Sequence, residues 1–283
     1  MRARITGIRL ATASAGLFTL VATLAAAAPA SAAPAGAALP STRSAPAATS
    51  VRYVAFGDSY ASGLGTGLER GNCDRSPAAY GPQWARAHQP ASFTFAACSG
   101  ATARGIRLHR LSALSPSTTL VSLTVGGNDV GFSDVIQTCI IGSTHDCLQA
   151  IGGAEHAMTT SLPRGLNRLL AAIRRHAPAA KIVVTGYPLL FDPARPGSCA
   201  EISHREQVQI NRGANLLDNT IRLAAGRHGA AFADVRAAFR GHAICDGAAW
   251  LHGLDFFSLN DSFHPTIAGQ TRGYLPAFTA AAR

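Results

Sequence analysis

The strongest constraint on the fold is the alternation of short apolar runs with segments of helical periodicity. The runs, each short enough for one buried strand, are residues 51–56, 120–125, 181–185 and, more weakly, 230–233. In residues 162–173 and 210–224, apolar side chains recur every three or four positions, which predicts amphipathic helices. Buried strands that alternate with helices are typical of a parallel sheet covered by helices on both sides. In such an α/β fold, ligands bind beyond the carboxyl ends of the strands, where these runs end in glycine or polar residues.

The first 50 residues are expected to lie outside this fold. Three arginines precede an apolar stretch that ends in small residues, so we expect residues 1–32 to be a secretory signal peptide cleaved after Ala32. An uncleaved membrane anchor is the alternative for this segment. Residues 33–50 are rich in Ala, Pro, Ser and Thr, which predicts a flexible leader. The remainder, residues 51–283, has no internal repeat and no second linker, so we expect it to form one extracellular domain. An apolar share of 47% and a charged share of only 14% exclude disorder over most of the chain.

The excess of basic residues does not indicate nucleic-acid binding. Without the three arginines of residues 1–32, the 25 Lys and Arg residues fall to 22, against 15 Asp and Glu residues, a net charge near +7. All but one of the basic residues are arginines, and they are scattered without a basic run or a nucleic-acid motif. We therefore expect no nucleic-acid partner, and weak, transient attraction to anionic lipid or the cell wall stays open. We also expect the protein to be a monomer.

The six cysteines are an even number, which suits disulfides in a secreted chain. Several pairings are possible, and the simplest joins sequence neighbours: Cys73–Cys98, Cys139–Cys147 and Cys199–Cys245. None of them has the Cys or His spacing of a zinc site. Since P-loop and dinucleotide motifs do not occur either, we expect catalysis without a metal or a cofactor.

Ser59 is the candidate nucleophile because it follows the first apolar run in the motif GDSY, residues 57–60. A serine at the start of a helix has a free backbone N–H and lies at the positive end of the helix dipole. Both features favour a nucleophile whose attack creates an oxyanion. In this interpretation, Asp58 is a structural carboxylate of the turn.

Three further motifs supply the groups that such a serine needs. Asn128, in the motif GGND after the second run, has an amide that can donate to an oxyanion, and Gly100 can offer a backbone N–H. His264 is the natural base for the serine hydroxyl. Asp261, three residues before it, is predicted to orient its imidazole, although the carbonyl of Ser262 or a nearby residue could do so instead.

The four motifs resemble the sequence blocks of the SGNH hydrolases, also called GDSL lipases and esterases. The nucleophile block is residues 57–60, with Tyr60 in place of the usual Leu, and the others are SGAT at 99–102, GGND at 126–129 and DSFH at 261–264. They occur in family order, and the secreted form with three disulfides is most similar to the actinomycete lipases, esterases and phospholipases of this family. The resemblance implies a flavodoxin-like α/β/α sandwich with a five-stranded parallel sheet.

The resemblance also implies the role of each residue. Ser59 would be the nucleophile, His264 the general base and then acid, and Asp261 the orienting group. The oxyanion hole would comprise the N–H groups of Ser59 and Gly100 and the side chain of Asn128.

These observations favour a secreted serine hydrolase that cleaves carboxylic esters of acyl lipids. A polysaccharide deacetylase, such as an acetylxylan esterase, is the alternative with the same chemistry. A non-catalytic lipid- or wall-binding protein is a third possibility, which the joint presence of Ser59, Asn128 and His264 disfavours. Aromatic residues that could line an acyl groove, or equally belong to the core, are Trp84, Phe132, Trp250, Phe256 and Phe257.

Overall fold

A five-stranded parallel sheet organises the protein, as seen in a computed structural model that describes residues 51–192, 194, 199 and 202–283. The signal peptide and leader expected in residues 1–50 lie outside this part. The strands are β1 (Arg52–Gly57), β2 (Ser92–Phe95), β3 (Leu120–Thr124), β4 (Lys181–Thr185) and β5 (Ala231–Ala233), in the spatial order β2-β1-β3-β4-β5. All neighbours are parallel.

Helices cover both faces of the sheet, which confirms the predicted three-layer fold. The helices are α1 (Ser59–Ser62), α2 (Tyr80–His88), α3 (Ala103–His109), α4 (Phe132–Ile141), α5 (Thr144–His176), α6 (His204–Arg227) and α7 (Leu275–Ala282). One layer contains α3, α4, α5 and α6, while α2 packs against α7 in the other. No helix in the described ranges is both long and apolar enough to cross a membrane.

Strand β2 is the one strand that no apolar run predicted. It lies at the edge of the sheet, and its residues alternate between exposed and half-buried. Phe93 packs on the Tyr53 ring at a centroid distance of 5.0 Å, while Ser92 and Thr94 face solvent. An edge strand with one buried face therefore lacks the continuous apolar run by which the central strands were recognised.

The register of the sheet brings the carboxyl ends of the strands to one edge. Gly57, the last residue of β1, pairs with Thr124, the last residue of β3. The backbone N–H of Asp58 continues this pairing with a bond of 2.9 Å to the Thr124 carbonyl. The turns that follow β1 and β3 therefore begin side by side.

Three disulfides join the cysteines that are neighbours in sequence, as in the simplest pairing. They are Cys73–Cys98, Cys139–Cys147 and Cys199–Cys245, with sequence separations of 25, 8 and 46. The second connects α4 to the start of α5. The first connects the loop after α1 to the turn that contains Gly100.

Removal of the Cys199–Cys245 bridge is expected to cost more stability than removal of Cys139–Cys147. The reason is that a disulfide restricts the unfolded chain more when it closes a longer loop. The double substitution of both cysteines by serine should lower the free energy of unfolding by about 2–4 kcal/mol at the long loop and by less at the short one. Urea denaturation of the two variants tests this order, and an equal or reversed loss would contradict the chain-entropy argument.

Candidate active site

The turn after β1 positions Ser59 at the carboxyl edge of the sheet. Gly57 has a φ of 143°, and a Cβ there would lie 2.5 Å from both the Ala61 Cβ and the Thr124 carbonyl oxygen, so only glycine fits. Asp58 caps the short helix α1 by accepting a bond of 3.1 Å from the Tyr60 N–H. Ser59 is the first residue of that helix, as the sequence motif predicted.

His264 contacts Ser59 although 205 residues separate them in sequence. Its Nε2 lies 2.8 Å from the Ser59 Oγ, a hydrogen-bond distance suited to proton transfer. Burial lowers the pKa of His264 to about 4, while the bond that its Nδ1 donates to the Ser262 carbonyl and the charge of Asp261 act in the opposite direction. The imidazole is therefore neutral at pH 7 and able to accept the proton of the serine hydroxyl.

The group at the other nitrogen of His264 differs from the one that the sequence favoured. The Ser262 carbonyl oxygen lies 3.0 Å from Nδ1, and in the described ranges no hydrogen bond joins the Asp261 carboxylate to the imidazole. The acceptor at Nδ1 is therefore the Ser262 carbonyl, the alternative that the sequence left open, and the orienting role predicted for the Asp261 carboxylate has no direct bond to support it. The backbone turns between Ser258 and Asp261, with an N–H to carbonyl bond of 3.0 Å, and the carboxylate accepts from the Ser258 hydroxyl instead.

An unusual backbone conformation supports the carbonyl of Ser262 in this place. Phe263, between Ser262 and His264, has a φ of 66°, which is rare for a bulky residue and requires support from its surroundings. Two hydrogen bonds provide that support. The Phe263 N–H donates to the His252 carbonyl at 3.0 Å, and the Tyr60 hydroxyl donates to the Phe263 carbonyl at 2.6 Å. Tyr60, which replaces the usual leucine of the GDSL motif, thus connects the nucleophile helix to the segment of the histidine.

The Gly100 turn is joined to the end of β1. The Cys98 N–H donates to the Gly57 carbonyl at 2.9 Å, and Gly100 has a φ of 75°, a left-handed conformation that favours glycine. Within the described part of the chain, the backbone N–H groups of Ser59 and Gly100 have no hydrogen-bond acceptor. Both N–H groups are therefore free to donate to a substrate oxygen.

Asn128 lies in the turn after β3 and is attached to the same region. Its Nδ2 donates to the Ala101 carbonyl at 3.1 Å, which leaves the second N–H of the amide for another acceptor. Asp129 holds the same turn through both carboxylate oxygens, which accept from the Ala103 N–H at 3.1 and 2.9 Å. Hydrogen bonds therefore connect all four sequence motifs at this edge.

Tyr187, which the sequence analysis did not identify, completes this arrangement. It follows β4, and its hydroxyl donates to the Asp58 carboxylate and accepts a bond of 3.2 Å from the Gly127 N–H. Its backbone N–H donates to Asp218 at 2.8 Å. Burial raises the pKa of Asp58 to about 7, and the bond from Tyr187 opposes that shift. The sequence feature that could have identified Tyr187 is its position directly after Gly186, where the third apolar run ends.

An apolar cleft opens beside Ser59 and His264. Its apolar walls come from the Asn128 turn and from α4, α5 and α6, and they include Val130, Phe132, Ile136, Ile151, Met158, Ile210, Ala214 and Leu217. Clefts with mostly apolar walls and a few polar groups hold apolar ligands in a fixed orientation, and the polar groups of this cleft include Ser59, Asn128 and His264.

Only one of the five aromatic candidates for an acyl groove lines this cleft. Phe132 does so, whereas Trp84 is buried in the core and Trp250 packs on Phe239 at a centroid distance of 5.7 Å. Phe256 and Phe257 are exposed, so they belong neither to an acyl groove nor to the core, the two places that the sequence analysis considered. In the described ranges, no three His, Cys, Asp or Glu side chains converge as a metal site would require.

Comparison with known proteins agrees with this geometry. The sequence profile of the GDSL-like Lipase/Acylhydrolase family matches residues 55–272. Lipase 1 of Streptomyces coelicolor is 41% identical over 81% of this chain and 86% of its own length. The crystal structure of phospholipase A1 from Streptomyces albidoflavus NA297 is 43% identical, with a TM-score of 0.79 over 82% of this chain and 99% of that one.

The crystal structure of an extracellular lipase from Streptomyces rimosus is similar to the same degree. It is 40% identical, with a TM-score of 0.78 over 82% of this chain and 99% of that one. The family match spans all four motifs, from the nucleophile turn to the histidine segment. The chain therefore belongs to the GDSL-like lipase and acylhydrolase family and is an ester hydrolase.

Proposed function

We propose that this protein is a secreted lipase or phospholipase that hydrolyses carboxylic esters of acyl lipids. The observation that carries the proposal is the apolar cleft that begins at the Ser59–His264 pair. An acyl chain in this cleft would have its ester carbonyl next to the serine hydroxyl. The names of the Streptomyces relatives, lipase and phospholipase A1, agree with this substrate class.

The chemistry follows from the two nitrogens of His264. Nε2 accepts the proton of the Ser59 hydroxyl as its oxygen attacks the carbonyl carbon, and then delivers that proton to the departing alcohol oxygen. A water then gives one proton to Nε2 as its oxygen attacks the acyl carbon, and Nε2 returns that proton to the Ser59 Oγ as the bond to the acyl group breaks and the carboxylic acid leaves. The N–H groups of Ser59 and Gly100 and the amide of Asn128 donate to the carbonyl oxygen while it bears negative charge.

In this mechanism, Ser59 and His264 act as a dyad that the Ser262 carbonyl orients. The carbonyl accepts the Nδ1–H, which fixes the tautomer with the free electron pair on Nε2. Asp261 then contributes only its charge at a distance, which raises the pKa of His264.

Asp261→Asn is expected to lower kcat on a short-chain ester by less than about tenfold. A carboxylate bonded directly to the histidine would instead be worth about 10⁴-fold. The measurement is kcat at a pH well above the pKa of His264, so that both proteins carry a neutral imidazole. A loss approaching 10⁴-fold, in a variant with an unchanged melting temperature, would restore Asp261 as a catalytic residue.

Acyl-chain preference separates the lipid hydrolase from the polysaccharide deacetylase. We expect p-nitrophenyl esters and phospholipids with long chains to be cleaved, and acetylated xylan to be a poor substrate, because an acetyl group would contact few of the apolar side chains that line the cleft. Activity on acetyl esters alone would favour the deacetylase. Absence of activity on every ester would favour the non-catalytic binding protein.

Narrowing the cleft should change this preference selectively. Ala214 is half-buried on α6 and lines the cleft, so Ala214→Phe is expected to lower kcat/KM for palmitoyl esters by about 10–100-fold and to spare acetyl esters. The control is Leu223→Phe on the same helix, since Leu223 is 55% exposed and does not line the cleft. Equal losses for both esters would place the acyl chain elsewhere.

The cellular location and the chain boundaries are part of the same proposal. Residues 1–32 would direct export, residues 33–50 would be a leader, and residues 51–283 would form the catalytic domain. The three disulfides support an oxidising compartment. We propose that the exported protein is monomeric, which its mass in solution would test.

A further inference from the structure

A loop directly before the catalytic histidine exposes three large apolar side chains. Phe256 is 74% exposed, Phe257 is 102% exposed and Leu259 is 63% exposed. The described residues include nine exposed large apolar side chains, and three of the nine lie within these four consecutive positions. Large apolar side chains exposed together in one short loop indicate a contact site for another molecule.

Polar groups within the loop hold its backbone in shape. The Asp255 carboxylate accepts from the N–H groups of Phe257 and Ser258 at 2.8 and 3.3 Å. The Ser262 hydroxyl accepts from the Asp255 N–H at 2.9 Å and so closes residues 255–262, here called the Phe loop. The loop therefore keeps its conformation without burying its apolar side chains, which remain at the tip.

The Phe loop is continuous with the catalytic histidine. It ends at Ser262, whose carbonyl accepts from the His264 Nδ1, and Ile267, three residues beyond His264, is 47% exposed. A surface that received the loop would therefore lie beside the reacting groups.

The charges of the loop identify the kind of surface. Residues 251–271 contain no Lys or Arg, and the two acidic residues of the loop, Asp255 and Asp261, both accept hydrogen bonds within it. The loop itself therefore has no positive charge with which to attract an anionic surface. The same acidic residues on a second copy of the chain would repel, which disfavours a dimer through this loop.

We propose that the Phe loop inserts Phe256, Phe257 and Leu259 into the surface of a zwitterionic lipid bilayer or aggregate. This contact places the Ser59–His264 pair at the interface where acyl lipids lie. The proposal rests on the lipid hydrolase function and adds to it the segment by which the enzyme reaches its substrate. Binding depends on apolar burial, so it does not weaken when the salt concentration rises.

The test is flotation of the protein with phosphatidylcholine vesicles, in a Ser59→Ala background so that no lipid is hydrolysed. Phe257→Ser is expected to lower the partition coefficient about tenfold, and Phe256→Ser with Phe257→Ser about a hundredfold, as the loss of buried phenyl groups predicts. Leu223→Ser, which removes an exposed apolar side chain on α6, is the matched control and should leave binding unchanged. Phe257 is fully exposed, so its replacement by serine removes no packing from the folded protein. The single variant therefore keeps the test valid if the double variant is unstable.

Three outcomes would overturn the proposal. Unchanged vesicle binding by the Phe257→Ser protein would remove the loop from the contact, and equal losses in the Leu223→Ser protein would make the effect nonspecific. A dimer that dissociates on Phe257→Ser, without vesicle binding, would make a second copy the occupant. Hydrolysis of soluble short-chain esters by the unmodified enzyme tests the proposed function separately, because that assay contains no lipid surface.

Discussion

Ser59→Ala is expected to lower kcat on every ester by about 10⁴-fold or more, as loss of the nucleophile does in other serine hydrolases. The substitution removes one oxygen that lies 2.8 Å from the His264 Nε2. Without it, no acyl-enzyme forms, and only the oxyanion donors and the binding of substrate remain. The measurement is kcat on a p-nitrophenyl ester of a chain length that the unmodified enzyme accepts.

The fold should survive this substitution, because the Ser59 backbone keeps its bonds in α1. The Ser59 carbonyl accepts from the N–H of Gly63 at 3.1 Å and from the Ser62 hydroxyl at 3.1 Å, and neither bond involves the side-chain oxygen. An unchanged melting temperature is therefore the control. Turnover close to that of the unmodified enzyme would remove Ser59 from the mechanism.

Asn128→Ala is expected to lower kcat by about 10²–10³-fold with a much smaller change in KM, as loss of one oxyanion-hole donor does. The amide lies in the turn that follows β3, and one of its N–H groups is already fixed by the Ala101 carbonyl at 3.1 Å. A donor held in this way needs no rearrangement as charge develops on the substrate oxygen. Its effect is therefore greatest in the transition state.

The division between kcat and KM is what distinguishes this role. A change confined to KM would make Asn128 a group that binds substrate and transition state equally. The matched control is Thr102→Ala, because Thr102 accepts from the Gly105 N–H at 3.0 Å and caps α3 beside the same turn without lining the cleft. A similar fall in kcat for that variant would mean that movement of the turn, and not loss of the amide, explains the effect.

Much of the fold and of the candidate site can be read from the sequence because these features depend on local pattern. Apolar runs and helical periodicity are properties of consecutive residues, and they predicted β1, β3, β4, α5, α6 and, from a weaker run, β5. The residue types at Ser59, Asn128 and His264 carry their chemistry wherever they occur. Motif order then indicated that these residues belong to one site, and the structure brings Ser59 and His264 within hydrogen-bond distance.

The features that the sequence did not determine depend on contacts between distant segments. Tyr187 acts through bonds to Asp58 and Gly127, which are far from it in the chain and become neighbours only when β1, β3 and β4 pair. The exposure of Phe256 and Phe257 likewise depends on which surfaces the rest of the chain leaves uncovered. Composition and spacing describe neither property.

The group that orients His264 shows, within a single turn, which features the sequence determines and which depend on the tertiary structure. The spacing of three residues between Asp261 and His264 permits a bonded carboxylate, and the sequence by itself determined only that a base and a nearby acceptor are present. The left-handed conformation of Phe263, supported by Tyr60 and His252, decided that the acceptor is the carbonyl of Ser262. That conformation is costly for an isolated phenylalanine, so it exists only because tertiary hydrogen bonds stabilise it.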